Sequence, residues 1–186
     1  GPMVVITLVI IVVSGVINLI GNATDSAAVQ VLFSLLGWIV GLLLSYGLIR
    51  ASLAVTRGVK PEVGMLFEPT GFGPFILASI LFGIGAVIGF VLCIIPGIIF
   101  MIVFHFYGYV ISESDGRINA IDALKRSAEI TKGHRWELLG LGIVLFLINI
   151  VGLLACIVGL IFTYGITAIA VAYAYRSLSG EPVVQP

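Results

Sequence analysis

The chain has 186 residues, 60% of them hydrophobic and only 10% charged, with nine basic and nine acidic side chains and no formal net charge. A soluble domain carries about 25% charged residues, so a chain with a mean hydropathy of +1.25 cannot cover a water-facing surface, and lipid must be its main solvent. The same balance leaves no basic tract rich enough for a nucleic-acid footprint, and the length suits one membrane domain over 1–186.

Gly1-Pro2 before Met3 reads as a scar of protease cleavage left by expression, and is set aside from fold reasoning. Met3 opens directly into an apolar run with no basic leader, which argues for a first spanning helix rather than a cleaved signal. A span needs about 20 apolar residues, and that length predicts helices over about 3–20, 28–49, 73–93, 97–112, 137–155 and 158–176. Between the third and fourth there is no polar loop, only Leu92-Cys93-Ile94-Ile95-Pro96-Gly97. One continuous helix over 73–112 would be about 60 Å long, twice the roughly 30 Å hydrocarbon core. Pro96 lacks an N–H and opposes a helical Ile95, so the chain is expected to turn there. The turn near 155–159 is less marked. Re-entrant hairpins, with their free backbone groups buried in protein, are the alternative for both pairs.

The basic residues are Arg50, Arg57, Lys60, Arg117, Lys125, Arg126, Lys132, Arg135 and Arg176. They occupy only 50–60, 113–137 and the end of the last apolar run. Six helices put both termini and all these residues on one side, which the Lys/Arg bias makes the cytoplasmic face of the plasma membrane. Tyr46, Tyr107, Tyr109, Tyr173, Tyr175 and Trp136 fall near the same ends and read as an interfacial aromatic belt. Trp38 and Tyr164 fall mid-span and are expected to pack between helices. Gly37 and Gly41, and Gly85 and Gly89, have the four-residue spacing that lets helix backbones approach closely, first of all within the chain, with a homo-oligomer as the other use.

Residues 115–135 read as an amphipathic interfacial helix. Asp115 would cap it, Asp122–Arg126 and Lys125–Glu129 would pair along it, and Gly133 would end it. Trp136 then starts the next span at headgroup depth. The segment resembles an earlier one: Arg50-Ala-Ser-Leu-Ala-Val-Thr-Arg-Gly-Val-Lys-Pro-Glu-Val63 lines up with Lys125-Arg-Ser-Ala-Glu-Ile-Thr-Lys-Gly-His-Arg-Trp-Glu-Leu138. Ser52 matches Ser127, Thr56 matches Thr131, Gly58 matches Gly133, and three basic positions are kept. Gly89, Cys93, Ile94 and Ile98 also match Gly152, Cys156, Ile157 and Ile161, at a different offset that implies extra residues around 64–74. Both segments would face one side, so the repeat is parallel. The fold expected is therefore all-α: a polytopic bundle of six transmembrane helices in three hairpins, with two interfacial amphipathic segments and a parallel internal repeat.

No paired intramembrane carboxylates, no metal-ligand spacing, no Gly-rich phosphate loop and no nucleophile with a supporting base can be read, so no catalytic residue, metal or cofactor is expected. Cys93 and Cys156 read as small buried hydrophobes. His105 is the one side chain within a span that titrates near neutrality, and such a residue is a functional candidate by default. A hydrogen bond to a neighbouring Tyr, Asn or carbonyl would also hold it there. Asn18 and Asn149 read as interhelical hydrogen-bonders.

The stretches Ile95-Pro96-Gly97-Ile98, Ala123-Leu-Lys-Arg-Ser127, Thr131-Lys-Gly-His-Arg-Trp136 and Ala172-Tyr-Ala-Tyr-Arg-Ser-Leu178 resemble the membrane domain of glycerophosphoryl diester phosphodiesterase and related bacterial and archaeal multi-pass proteins. The resemblance implies a membrane module and supplies no catalytic residue to carry over. The expectation is a non-enzymatic module that binds membrane lipids, anionic ones included, or scaffolds a partner at the cytoplasmic face, through Arg57, Lys60, Arg126, Lys132, Arg135 and Trp136. A small transporter or channel, with His105, Tyr107 and Asn149 on a polar cavity, is the alternative.

Overall fold

The structure, a computed structural model, describes residues 2–22, 27–67, 70–154 and 156–181. Within them the chain forms eight α-helices and one short 3-10 helix, and no strand. They are α1 (Pro2–Asn22), α2 (Ala27–Thr56), the 3-10 helix Val63–Leu66, α3 (Phe72–Leu92), α4 (Ile94–Phe104), α5 (Tyr107–Glu113), α6 (Ala120–Ile130), α7 (Arg135–Leu154) and α8 (Cys156–Ser179). Four stretches are long and apolar enough to cross a membrane: Ala28–Thr56, Phe72–Leu92, Ile94–Glu113 and Arg135–Leu153. Large apolar side chains such as Val91, Phe146 and Val151 cover their outer faces, as a membrane protein requires. The side chains of Asn18 and Cys156 lie outside the described set.

α1 packs on α2, α3 on α4, and α7 on α8. Glycine governs the second of these pairings. A Cβ at Gly89 would lie 3.0 Å from the Gly97 Cα, and one at Gly85 would enter the Phe100 ring, so these two face α4 within the chain. Pro96 stands in the first turn of α4, where its missing N–H leaves no bond unmade. The joint is the single extended residue Cys93. Cys93 is exposed, which corrects its reading as a buried hydrophobe.

α2 runs to Thr56, well past the expected end near 49. Its 30 residues span about 45 Å, so its last turns project beyond a roughly 30 Å core. Arg50 is one charge on a continuing helix and does not stop it. Gly58 does: it adopts a left-handed conformation (φ 74°). Its N–H bonds Val55 O at 3.0 Å and the Val59 N–H bonds Ala54 O at 2.9 Å, the paired closure that ends many helices. The first of the two matched segments is therefore the tail of α2, not a separate interfacial helix.

α6 is an amphipathic helix, shorter than 115–135. Its cap is Asn119, whose side chain accepts the Asp122 N–H at 2.9 Å. Asp115 instead closes α5, at a left-handed φ of 50° with Gly116 N bonding Ile111 O at 3.0 Å. The ion pairs along α6 are Lys125–Asp122 at 3.7 Å and Arg126–Glu129 at 3.2 Å, one residue closer in spacing than expected. Ala120, Ala123, Ser127 and Ile130 are buried against α3, α4 and α5, so α6 is packed into the bundle rather than lying loose on its surface.

The main core lies where α2, α3, α5, α6 and α8 meet. Tyr46, Phe75, Phe106, Tyr109 and Tyr175 are buried there, with ring centroids 4.7 Å apart for Tyr46–Phe75 and 5.4 Å for Tyr109–Tyr175. This corrects the aromatic belt: three of its tyrosines hold the core. Trp38 is half exposed on the surface instead of packing between helices, whereas Tyr164, also part exposed, borders a cavity between helices.

Candidate functional site: the basic end of the bundle

The α4–α5 stretch is broken at His105 and Phe106, with no proline or glycine at the break. A break inside a membrane is tolerated where neighbouring side chains take up the freed backbone groups. Here α6 supplies them. The Ser127 hydroxyl accepts the Phe106 N–H at 3.1 Å and donates to Val103 O at 3.0 Å. Thr131 Oγ1 stands 3.2 Å from the same carbonyl. Ser127 and Thr131 are fully buried, as are the matched Ser52 and Thr56. The latter pair bond back to Ile49 O and Leu53 O within α2, each at 2.8 Å.

The ends of α2, α5 and α8 are tied together by charge. Glu113 accepts Arg57 Nη2 at 3.1 Å and the Tyr175 hydroxyl at 2.7 Å. Arg176 is only 4% exposed, with Nη1 3.4 Å from Thr56 Oγ1 and Nη2 3.8 Å from Glu181. Its Nε has no partner among the described residues. Glu113 carried no signal in the sequence, and Tyr175 and Arg176 stood there only as a belt tyrosine and one of the one-sided basic residues. Each reads as an ordinary polar residue at a membrane boundary, and only the meeting of three helix ends joins them. Beside this knot, a cavity of about 490 Å³ opens between α5, α6 and the end of α8, lined by Glu113, Asp122, Lys125, Arg126, Glu129 and Tyr175.

The six expected headgroup contacts divide into two sets. Arg57 and Arg126 are committed to Glu113 and Glu129. Lys60, Lys132 and Arg135 are exposed and make no ion pair among the described residues. Trp136 is 84% exposed at the start of α7. Lys132, Arg135 and Trp136 thus come together at the α6–α7 junction, while Arg57 belongs to the knot.

The expected cavity residues divide similarly. His105 and Tyr107 line a cavity of about 400 Å³ with Phe75, Phe82, Tyr109 and Tyr164. Tyr107 bonds Ser79 at 2.9 Å. The His105 side chain makes no hydrogen bond among the described residues and meets Phe106 edge-on at 5.6 Å. Asn149 instead spends its amide on Leu145 O and Thr167 Oγ1, each at 2.8 Å, joining α7 to α8 as an interhelical hydrogen-bonder. His105 also lines a second cavity of about 300 Å³, between α4 and α7 and floored by α8.

A family described as a domain of unknown function, DUF7847, matches residues 3–184. The chain belongs to that family. It is 29% identical over 143 residues to the uncharacterized protein Rv2560 of Mycobacterium tuberculosis (strain ATCC 25618 / H37Rv), covering 75% of this chain and 42% of that one. The same figures hold for the uncharacterized protein Mb2590 of Mycobacterium bovis. The DUF7847 chain thus spans less than half the length of these relatives. No solved structure matches it.

Proposed function

We propose that this DUF7847 chain is a non-enzymatic membrane module of six spanning helices in three hairpins, both ends cytoplasmic, that binds anionic lipid headgroups at its basic end. One observation carries the reading: Lys132 and Arg135, without ion pairs among the described residues, flank Trp136, 84% exposed where a candidate span begins. Cations without an ion pair among the described residues, set beside an indole at the boundary, suit an anionic headgroup. Lys60 is a further cation without an ion pair among the described residues. Arg57 and Arg126 contribute less, because Glu113 and Glu129 already neutralise them. The resemblance to a membrane domain without catalytic residues of its own agrees with this reading.

The test is lipid retention after reconstitution into discs of phosphatidylglycerol and phosphatidylcholine. Each basic residue near an anionic surface is worth about 1 kcal/mol, so reversing Lys132 and Arg135 to Glu is expected to lower the preference for phosphatidylglycerol at least about tenfold. An unchanged preference in a folded variant overturns the reading. A small transporter is the second reading, favoured by the cavity that reaches His105 and Tyr107. It expects His105→Phe to alter solute flux in liposomes, and equal flux removes it.

A further inference from the structure

The groove between α4 and α7 begins close in sequence to Lys132 and Arg135, which make no ion pair among the described residues. Its α7 wall is Leu138, Leu141, Gly142 and Leu145, and Leu138 stands one helical turn after Arg135. Met101 of α4 and His105 just past its end face that wall, and Val171 of α8 lies on the floor. From Arg135 to Leu145 the helix climbs about 15 Å at 1.5 Å per residue, half of a roughly 30 Å hydrocarbon core. The groove is thus one leaflet deep, apolar along its walls, and headed by positive charge.

Two details bear on what fills it. A Cβ added at Gly142, which lines the groove, would meet nothing within 4 Å, so a larger side chain there has room to enter it. The His105 imidazole reaches the groove and has no hydrogen-bond partner among the described residues. An acyl chain alone gives a ring N–H no acceptor. The ester carbonyl of a glycerophospholipid does, because it lies just below the phosphate and above the chain. At the mouth, Arg135 adds positive charge where the start of α7 is already positive, and the exposed Glu137 offsets only part of it. An anion held there relieves the rest.

We infer that the α4–α7 groove holds one acyl chain of an anionic glycerophospholipid, with its phosphate between Lys132 and Arg135 and an ester carbonyl on His105. The inference rests on the headgroup reading above and adds a defined stoichiometric site to it.

The experiment compares the parent protein, Gly142→Leu and the Lys132→Glu/Arg135→Glu double variant, each purified in detergent with phosphatidylglycerol and weighed intact by native mass spectrometry. The parent is expected to keep one phosphatidylglycerol. Gly142→Leu fills the groove from open space and is expected to lose that lipid about tenfold or more, since displacing even two methylenes removes that much affinity. It keeps the anionic preference of the surrounding lipid in discs. Full retention by Gly142→Leu overturns the groove while leaving the headgroup reading intact. Loss in Gly142→Leu together with full retention in the double variant overturns the anionic assignment, and the headgroup reading with it. A second measurement needs no variant: phosphatidylglycerol with a photoreactive acyl chain is expected to crosslink the parent within 138–145. Crosslinks confined to other segments overturn the site.

Discussion

Ser127 is hydrogen-bonded on both sides of the α4–α5 break, as acceptor from Phe106 and donor to Val103. Ser127→Ala leaves a buried N–H without an acceptor, and the expected loss is about 1–3 kcal/mol, read as a lower melting temperature in detergent. Thr131→Val costs less, about 1 kcal/mol, because Ser127 still serves the shared carbonyl of Val103. Arg176 behaves differently. Its guanidinium is buried with an unsatisfied Nε, and a buried charge imperfectly paired adds little to stability. Arg176→Met is therefore expected to stay within about 1 kcal/mol of the parent in the same assay. Ser127 and Thr131 stood out in the sequence as matched positions, but their task did not. The backbone they satisfy is freed at His105–Phe106, where nothing in the residue types announces a break. The tyrosines were misread for a related reason. A ring near a membrane boundary can face the headgroups or the protein, and residue type does not distinguish the two.

At the scale of the element, the apolar runs were legible because bilayer thickness sets a minimum length that few other structures demand. The α3–α4 turn followed from the same length argument together with Pro96. Helix ends were less legible. Arg50 looked like a boundary and is an interior helical residue. Asp115 looked like a cap and closes the preceding helix instead. Both errors read a helix boundary from a charge, Arg50 as an end and Asp115 as a start, whereas the observed ends depend on left-handed backbone at Gly58 and Asp115. The small-residue spacing was right for Gly85 and Gly89 and has a direct test. Gly89→Leu would force α4 away at Gly97, so the hairpin is expected to open and the variant to aggregate on size exclusion. Gly41→Leu meets open space and is expected to elute as the parent does.

For the whole molecule, the segments that carry the basic residues are joined by a few specific contacts. The tail of α2, the end of α5 and the end of α8 converge through Arg57, Glu113 and Tyr175, and the α6–α7 junction follows α6, which packs on α3, α4 and α5. The exposed Cys93 at the α3–α4 joint belongs to the opposite end of the hairpin. In a Cys156→Ala background, a membrane-impermeant thiol reagent is expected to label Cys93 from outside intact cells. A cysteine at Lys60, in a Cys93→Ala and Cys156→Ala background, is expected to react only after lysis. Labelling of both from the same side would overturn the proposed six-span arrangement.

The splint at Val103–Phe106 also has a consequence in time. Residues 94–113 reach the membrane ahead of 120–131, which are still held in the ribosome. When this stretch enters lipid, the hydroxyls of Ser127 and Thr131 are not yet in place beside it, and an open backbone group in hydrocarbon is costly. The stretch therefore enters most cheaply as one unbroken helix and bends only when α6 arrives. The arrival of α6 is then an assembly checkpoint: a released chain ending before residue 127 would carry a straight rod where the finished protein has an elbow.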